Sequence, residues 1–144
     1  MRTWTASATA AALPLDVLDV LTDPAAARRW APVPFDVEHD PGRLTPGTRT
    51  RVSGRLAGRD VGFDLEVHAA DAERFELTAS GPVGFDVAYD FAPVDGGTEV
   101  RASVSVRPGG GLTGRVLAKA TTALLAAGAL PTAVSRIAHE AACC

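Results

Sequence analysis

From Arg49 to Arg107 the chain alternates: apolar side chains fall on every second position in run after run. "VGFDLEVHA" presents Val61, Phe63, Leu65 and Val67 on one side, and "ERFELTAS" presents Phe75, Leu77 and Ala79. "VGFDVAYDF" presents Val83, Phe85, Val87, Tyr89 and Phe91, and "TEVRASVSVR" presents Val100, Ala102, Val104 and Val106. A period of two means strands with one buried face. Asp64, Glu66, Asp86 and Asp90 fall on the opposite, solvated face. The motif "VGFD" occurs at Val61 and again at Val83, but no third copy follows at the same period, so this is not a repeat architecture. Turn chemistry separates the runs: Pro41-Gly42, Pro46-Gly47, Ala57-Gly58-Arg59, Gly81-Pro82 and Asp95-Gly96-Gly97.

The flanks read differently. "MRTWTASATA" alternates Thr and Ser with Trp4, Ala6, Ala8 and Ala10, which predicts a first strand with those four inward and leaves no continuous apolar core for a signal peptide. Pro14 opens a short amphipathic helix bearing Leu15, Val17, Leu18 and Leu21; Thr22 or Asp23 then caps a second through "PAAARRW". After the loop "PGGG", Leu112, Val116, Ala120, Ala123, Ala127, Leu130, Val134 and Ile137 step by three and four along one long helix. Pro131 should kink it near Ala127, because proline removes a donor and crowds the preceding turn. The order is strand, two short helices, about six more strands and a long helix. That predicts an α+β domain over 1–144, a curved antiparallel sheet of about seven strands gripping the C-terminal helix.

Composition narrows the function. A chain of 144 residues with 47% hydrophobic content can bury a core without disulfides or metal. A net charge of −3 leaves no electrostatic case for nucleic acid or an anionic membrane. "VLAKATTALLAAGALPTAV" holds Lys119, three threonines and Pro131, too polar for a membrane span. Cys143 and Cys144 are adjacent and cannot staple a fold. His39, His68 and His139 have no metal-ligand spacing, and "GGG" lacks the rest of a phosphate loop. No cofactor or metal is expected, the location expected is cytoplasmic, and the state expected is a monomer or weak dimer.

The helix offers Ala, Thr and Gly to a sheet lined with Phe, Val and Leu, which predicts either an internal apolar cavity or close helix approach over a filled core. The candidate ligand contacts are Trp4, Thr50, Phe63, Leu65, Phe75, Leu77, Phe85, Val87, Tyr89, Phe91 and Val104 on the sheet, Leu117, Thr121 and Leu124 on the helix, and Trp30 at the mouth. Tyr89 is the foremost polar group: either a ligand handle or a core tyrosine bonded to backbone. Thr50 and Thr121 or Thr122 are the other hydroxyls, while Arg49, Arg51, Arg55 and His68 fall outward.

"LTDPAAARRWAPVPFDVEHD", "PGTRTRVSGRLAGRDVGFDLEV" and "DGGTEVRASVSVRPGGGLTGRVLAKATTALL" resemble the START-like, or SRPBCC, superfamily of polyketide cyclase/dehydrase and lipid transport proteins, over nearly the whole chain. The resemblance implies the helix-grip fold of the birch pollen allergen and a pocket for lipids, aromatic polyketides or other apolar ligands. Aromatase/cyclase members place Arg, Asp, Tyr or His inside that pocket; here the inward register is almost entirely apolar. The functions implied are a carrier or sequestering protein for an apolar natural product or lipid, a polyketide cyclase/dehydratase, or antibiotic self-resistance by sequestration.

Overall fold

A computed structural model of the chain describes residues 2–30, 35–38, 44–56, 59–107 and 111–142. Each alternating run becomes a strand. β1 (Arg2–Ala10) precedes two short helices, α1 (Pro14–Thr22) and α2 (Pro24–Trp30). Then follow β2 (Phe35–Glu38), β3 (Arg49–Leu56), β4 (Arg59–Ala70), β5 (Arg74–Ser80), β6 (Gly84–Val94) and β7 (Gly97–Arg107). They form one seven-stranded antiparallel sheet in the order β1-β7-β6-β5-β4-β3-β2, the first strand folding back onto the last. The expected helix-grip architecture is therefore present.

Local chemistry accounts for the boundaries. Pro14 takes the first position of α1, where its missing N–H would find no partner anyway. The Asp16 carboxylate accepts from the Leu13 N–H at 3.3 Å. Of the two residues offered as the cap of α2, Asp23 serves, its Oδ1 accepting from the Ala25 N–H at 3.0 Å; the Thr22 hydroxyl instead donates back to the Leu18 carbonyl. The turn at Pro46-Gly47 closes through the Thr48 N–H to the Thr45 carbonyl, and Gly96 turns the hairpin between β6 and β7. The turns expected at Pro41-Gly42 and Ala57-Gly58 lie outside the described residues.

The C-terminal segment departs from expectation. Instead of one kinked helix there are two, α3 (Gly111–Ala126) and α4 (Ala129–Ala142), with axes 61° apart. The break comes where the kink was expected, but Pro131 is not its cause. Gly128 lies in the left-handed region at φ 97° and ends α3, while Pro131 sits within the first turn of α4, where it displaces no helical hydrogen bond. α4 packs on β1, α1 and α2. α3, about 24 Å long for its 16 residues, reaches from β7 to β3 across the concave face.

The two "VGFD" copies have a shared structural meaning on the outer face. Each glycine leaves a slot in which an arginine from the neighbouring strand lies flat: Arg51 over Gly62 and Arg107 over Gly84. The aspartate of the same motif then holds that arginine. Arg51 Nη1 is 3.3 Å from Asp64 Oδ1, and Arg107 Nε is 3.1 Å from Asp86 Oδ2. The second pair is off the N–H direction, so charge rather than a directed hydrogen bond holds it. The aspartates are solvated, as expected, but paired; exposed pairs of this kind add little stability. On the inner face the two phenylalanines of the motif, Phe63 and Phe85, meet at 5.4 Å between ring centroids.

Candidate functional site

Strand register lays the inner side chains out in rows. One row runs Ala6, Ala102, Tyr89, Phe75 and Ala70 across β1, β7, β6, β5 and β4. The next runs Trp4, Val104, Val87, Leu77 and Val67, and the one beyond it Val106, Phe85, Ala79, Leu65 and Thr50. The bulge in β4 between Val67 and Ala69 shifts its alternation by one residue, which is why Ala70 rather than Ala69 faces inward. Phe63, Leu65, Phe75, Leu77, Phe85, Val87 and Phe91 thus share one face, as expected.

These rows are not equally covered. α1 and α4 press Val17, Leu21, Leu130, Val134 and Ile137 onto Phe75, Tyr89, Phe91, Val100 and Ala102, all of them buried. A second, smaller cluster gathers Val83, Val106 and Leu117 beneath α3, with Phe63 and Phe85 at its rim. Between them lie Leu65, Leu77, Val87 and Val104, which face the helices yet stay only half-buried. The cause is what α3 presents there: Gly114, Leu117, Thr121 and Leu125, too little volume to fill the width of the sheet. An apolar strip remains, closed at one end by Tyr89 and Phe75 and roofed by α3.

Tyr89 is 5% exposed, stacked on Phe75 at 6.1 Å between ring centroids. Among the described residues its hydroxyl makes no hydrogen bond, so the core-tyrosine alternative, a backbone partner, is not what the structure shows. The oxygen is not among the fully enclosed unpaired atoms, so it reaches open space, where an external partner could meet it. Burial pushes the phenol well above its ordinary range, because a phenolate would lose its water. It remains a proton donor across the physiological range. The other interior hydroxyls are engaged: Thr121 donates to the Leu117 carbonyl at 2.9 Å and Thr98 to the Ala12 carbonyl at 2.8 Å.

The remaining candidates fall into place around this strip. Trp4, Thr50, Phe63 and Phe85 are half-buried along it, and Leu117 and Thr121 are buried above it. Phe75, Tyr89 and Phe91 belong to the closed end. Trp30 is half-buried against the main core, with its indole N–H donating to the Val20 carbonyl at 3.4 Å, and serves packing. Leu124 is a correction: it is 37% exposed, and its neighbour Leu125 packs against both clusters instead. The same phase error covers Leu112 and Val116, 78% and 42% exposed. The true inner set, Gly114, Leu117, Thr121 and Leu125, has helical spacing but less apolar character than the stripe beside it, so periodicity favoured the wrong side.

His68 lies on the outer face, its Nε2 2.8 Å from the Thr78 hydroxyl, and His39 is outside the described residues. His139 lines a shallow open cleft of about 540 Å³ between α2 and α4, bordered by the Arg29–Glu140 ion pair. No group of three or more His, Cys, Asp or Glu among the described residues could hold a metal, and no single helix is long and apolar enough to cross a membrane.

Comparison with solved structures places this geometry. TTHA0849 from Thermus thermophilus matches with a TM-score of 0.69 at 18% identity, covering 97% of each chain. Ara h 8.0201 matches with a TM-score of 0.64 at 14% identity, over 97% of each chain. DynU16, from the dynemicin biosynthetic locus, matches at 0.59 and 20% identity, over 95% of this chain and 46% of its own. Such identities speak for the fold alone. No curated protein matches the chain. A family model described as polyketide cyclase / dehydrase and lipid transport matches residues 1–137. With that match spanning almost its full length, the chain belongs to the polyketide cyclase/dehydrase and lipid transport family.

Proposed function

We propose that the protein binds an apolar small molecule, a lipid or polyketide-type natural product, between the sheet and α3, as a carrier or sequestering protein. The observation that carries this reading is the half-buried strip of Leu65, Leu77, Val87 and Val104 ending at the unpartnered Tyr89 hydroxyl. Apolar walls supply affinity through area removed from water, and one donor fixes orientation by meeting a ligand carbonyl or other acceptor. The ligand is therefore largely hydrocarbon or aromatic with at least one acceptor oxygen. Family membership supports the class of ligand without choosing within it.

A cyclase or dehydratase would need a base as well as an acid. Among the described inner-face groups Tyr89 stands with hydrocarbon, threonine hydroxyls and the Trp4 indole N–H, which can only donate, so a proton given up there has no strong base to receive it. Binding is the better-supported reading.

The test is a panel of environment-sensitive apolar dyes, fatty acids and aromatic polyketides, read by fluorescence and thermal shift. Members with an acceptor oxygen should bind at sub-millimolar concentration and raise Tm by mass action. Tyr89→Phe should weaken them by about 1 kcal/mol, the worth of one neutral hydrogen bond, and leave pure hydrocarbons unaffected. Absence of any thermal shift across the panel overturns the proposal.

A further inference from the structure

The stripe that periodicity assigned to the interior of α3 is on its outside. Leu112, Val116, Ala120 and Ala123 step by four, four and three along the helix, with Leu112 78% and Val116 42% exposed. The opposite face of the helix, from Gly114 to Leu125, is the one turned toward the sheet. α3 is thus apolar on two faces, and only one has a partner. Exposed leucine and valine in a row are costly to keep in water and mark a contact surface.

Charge identifies the occupant. α3 carries Arg115 and Lys119, both exposed, and no acidic residue from Gly111 to Ala126, in a chain whose net charge is −3. Neither cation is in an ion pair among the described residues, unlike the outer face of the sheet, where Arg49, Arg51 and Arg107 each have a carboxylate. Spaced by four, they lie on one side of the apolar stripe, three residues after Leu112 and Val116 respectively. A leucine-valine stripe edged by long cationic side chains fits the boundary between acyl chains and anionic headgroups: the stripe enters hydrocarbon while Arg115 and Lys119 reach back to phosphate. A second copy of α3 would meet the same two cations with its own. The whole-chain charge, which argued against anionic membranes, averages over acidic groups that lie on other elements.

We propose that the outer face of α3 docks on an anionic lipid surface. The docking stands independently of the ligand reading; its purpose, transfer of an apolar ligand between bilayer and interior beneath the same helix, rests on that reading.

Co-sedimentation with vesicles tests it, comparing phosphatidylcholine alone with phosphatidylcholine containing phosphatidylglycerol, at low and at physiological salt. The full chain should partition to the phosphatidylglycerol vesicles and be released as salt rises. Arg115→Gln with Lys119→Gln should weaken partitioning roughly tenfold or more at low salt. Leu112→Ser with Val116→Ser should abolish it while dye binding inside persists, since these side chains stand outside the interior. No partitioning at low salt, or equal partitioning of the stripe variant, overturns the docking. So does a dimer in solution that the stripe variant converts to monomer, which would give the face to a second copy. Loss of dye binding with vesicle binding intact would instead overturn the ligand reading and leave the docking standing.

Discussion

Tyr89 combines two properties: its ring is locked between Phe75 and the α4 side of the core, and its hydroxyl meets no protein acceptor. Removing that hydroxyl should therefore cost the unliganded protein little. Tyr89→Phe should change unfolding free energy by less than about 1 kcal/mol, because the deleted group makes no protein hydrogen bond and its oxygen reaches open space. A larger loss in urea unfolding would show that the hydroxyl has a protein partner after all. The same residue sets an alkaline limit. Its pKa is raised in the folded state, so the fold holds the phenolic proton more tightly than the unfolded chain does. Stability is then complete below the unfolded value of 10.0 and falls as pH rises beyond it, by about 1.4 kcal/mol per pH unit. As this is the one tyrosine in the chain, Tyr89→Phe should flatten that fall relative to wild type, measured by unfolding from pH ~8 to ~11.5. Its inward position was legible from alternation. Its missing partner was not, because a partner would have come from elements distant in sequence.

At the scale of elements, α3 and α4 are decided by one backbone conformation and one phase. Gly128 at φ 97° has open space around it, so Gly128→Ala tests conformation alone and should lose about 1 kcal/mol. Gly97 tests the opposite case. A Cβ there would meet the Ala10 carbonyl at the end of β1, backbone that cannot step aside, and Gly97→Ala should cost more, about 2–3 kcal/mol. Phase is tested by two adjacent leucines. Leu125→Ala should lose about 2 kcal/mol and Leu124→Ala under about 1, since only Leu125 touches both clusters. Equal losses would return α3 to the phase that periodicity favoured. Proline and the apolar stripe were visible in the sequence, yet both pointed slightly wrong: Pro131 is compatible with a first turn, and an apolar stripe does not say which side of a helix has a partner.

For the molecule as a whole, the interior is two packed clusters with a half-covered strip between them, rather than one filled core. This distinction is measurable by filling it. Val87→Leu or Val104→Leu should be neutral or stabilising by up to about 1 kcal/mol, as added methylenes enter space already available, and should expel bound dye. In a core packed solid the same changes would cost about 1–3 kcal/mol. Calorimetric or urea unfolding paired with dye titration separates the two. Loss of stability with binding retained would move the site away from this strip.

Strand positions, the inward identity of Phe63 to Phe91, the two short helices and the break near Ala127 follow from the chain itself, because alternation, caps and turn residues act over a few neighbouring positions. The resemblance carried by "LTDPAAARRWAP" and the strands after it extends that to the helix-grip fold. Tertiary structure alone decided what covers each inward row, which of two apolar faces of α3 is buried, and that Arg51 and Arg107 fill the glycine slots of the repeated motif. Those outcomes depend on volumes and distances between residues far apart in sequence. Leu117 against Val83 and Val106 turns Gly114 and Thr121 toward the sheet, and with that one contact Leu112 and Val116 are left facing outward.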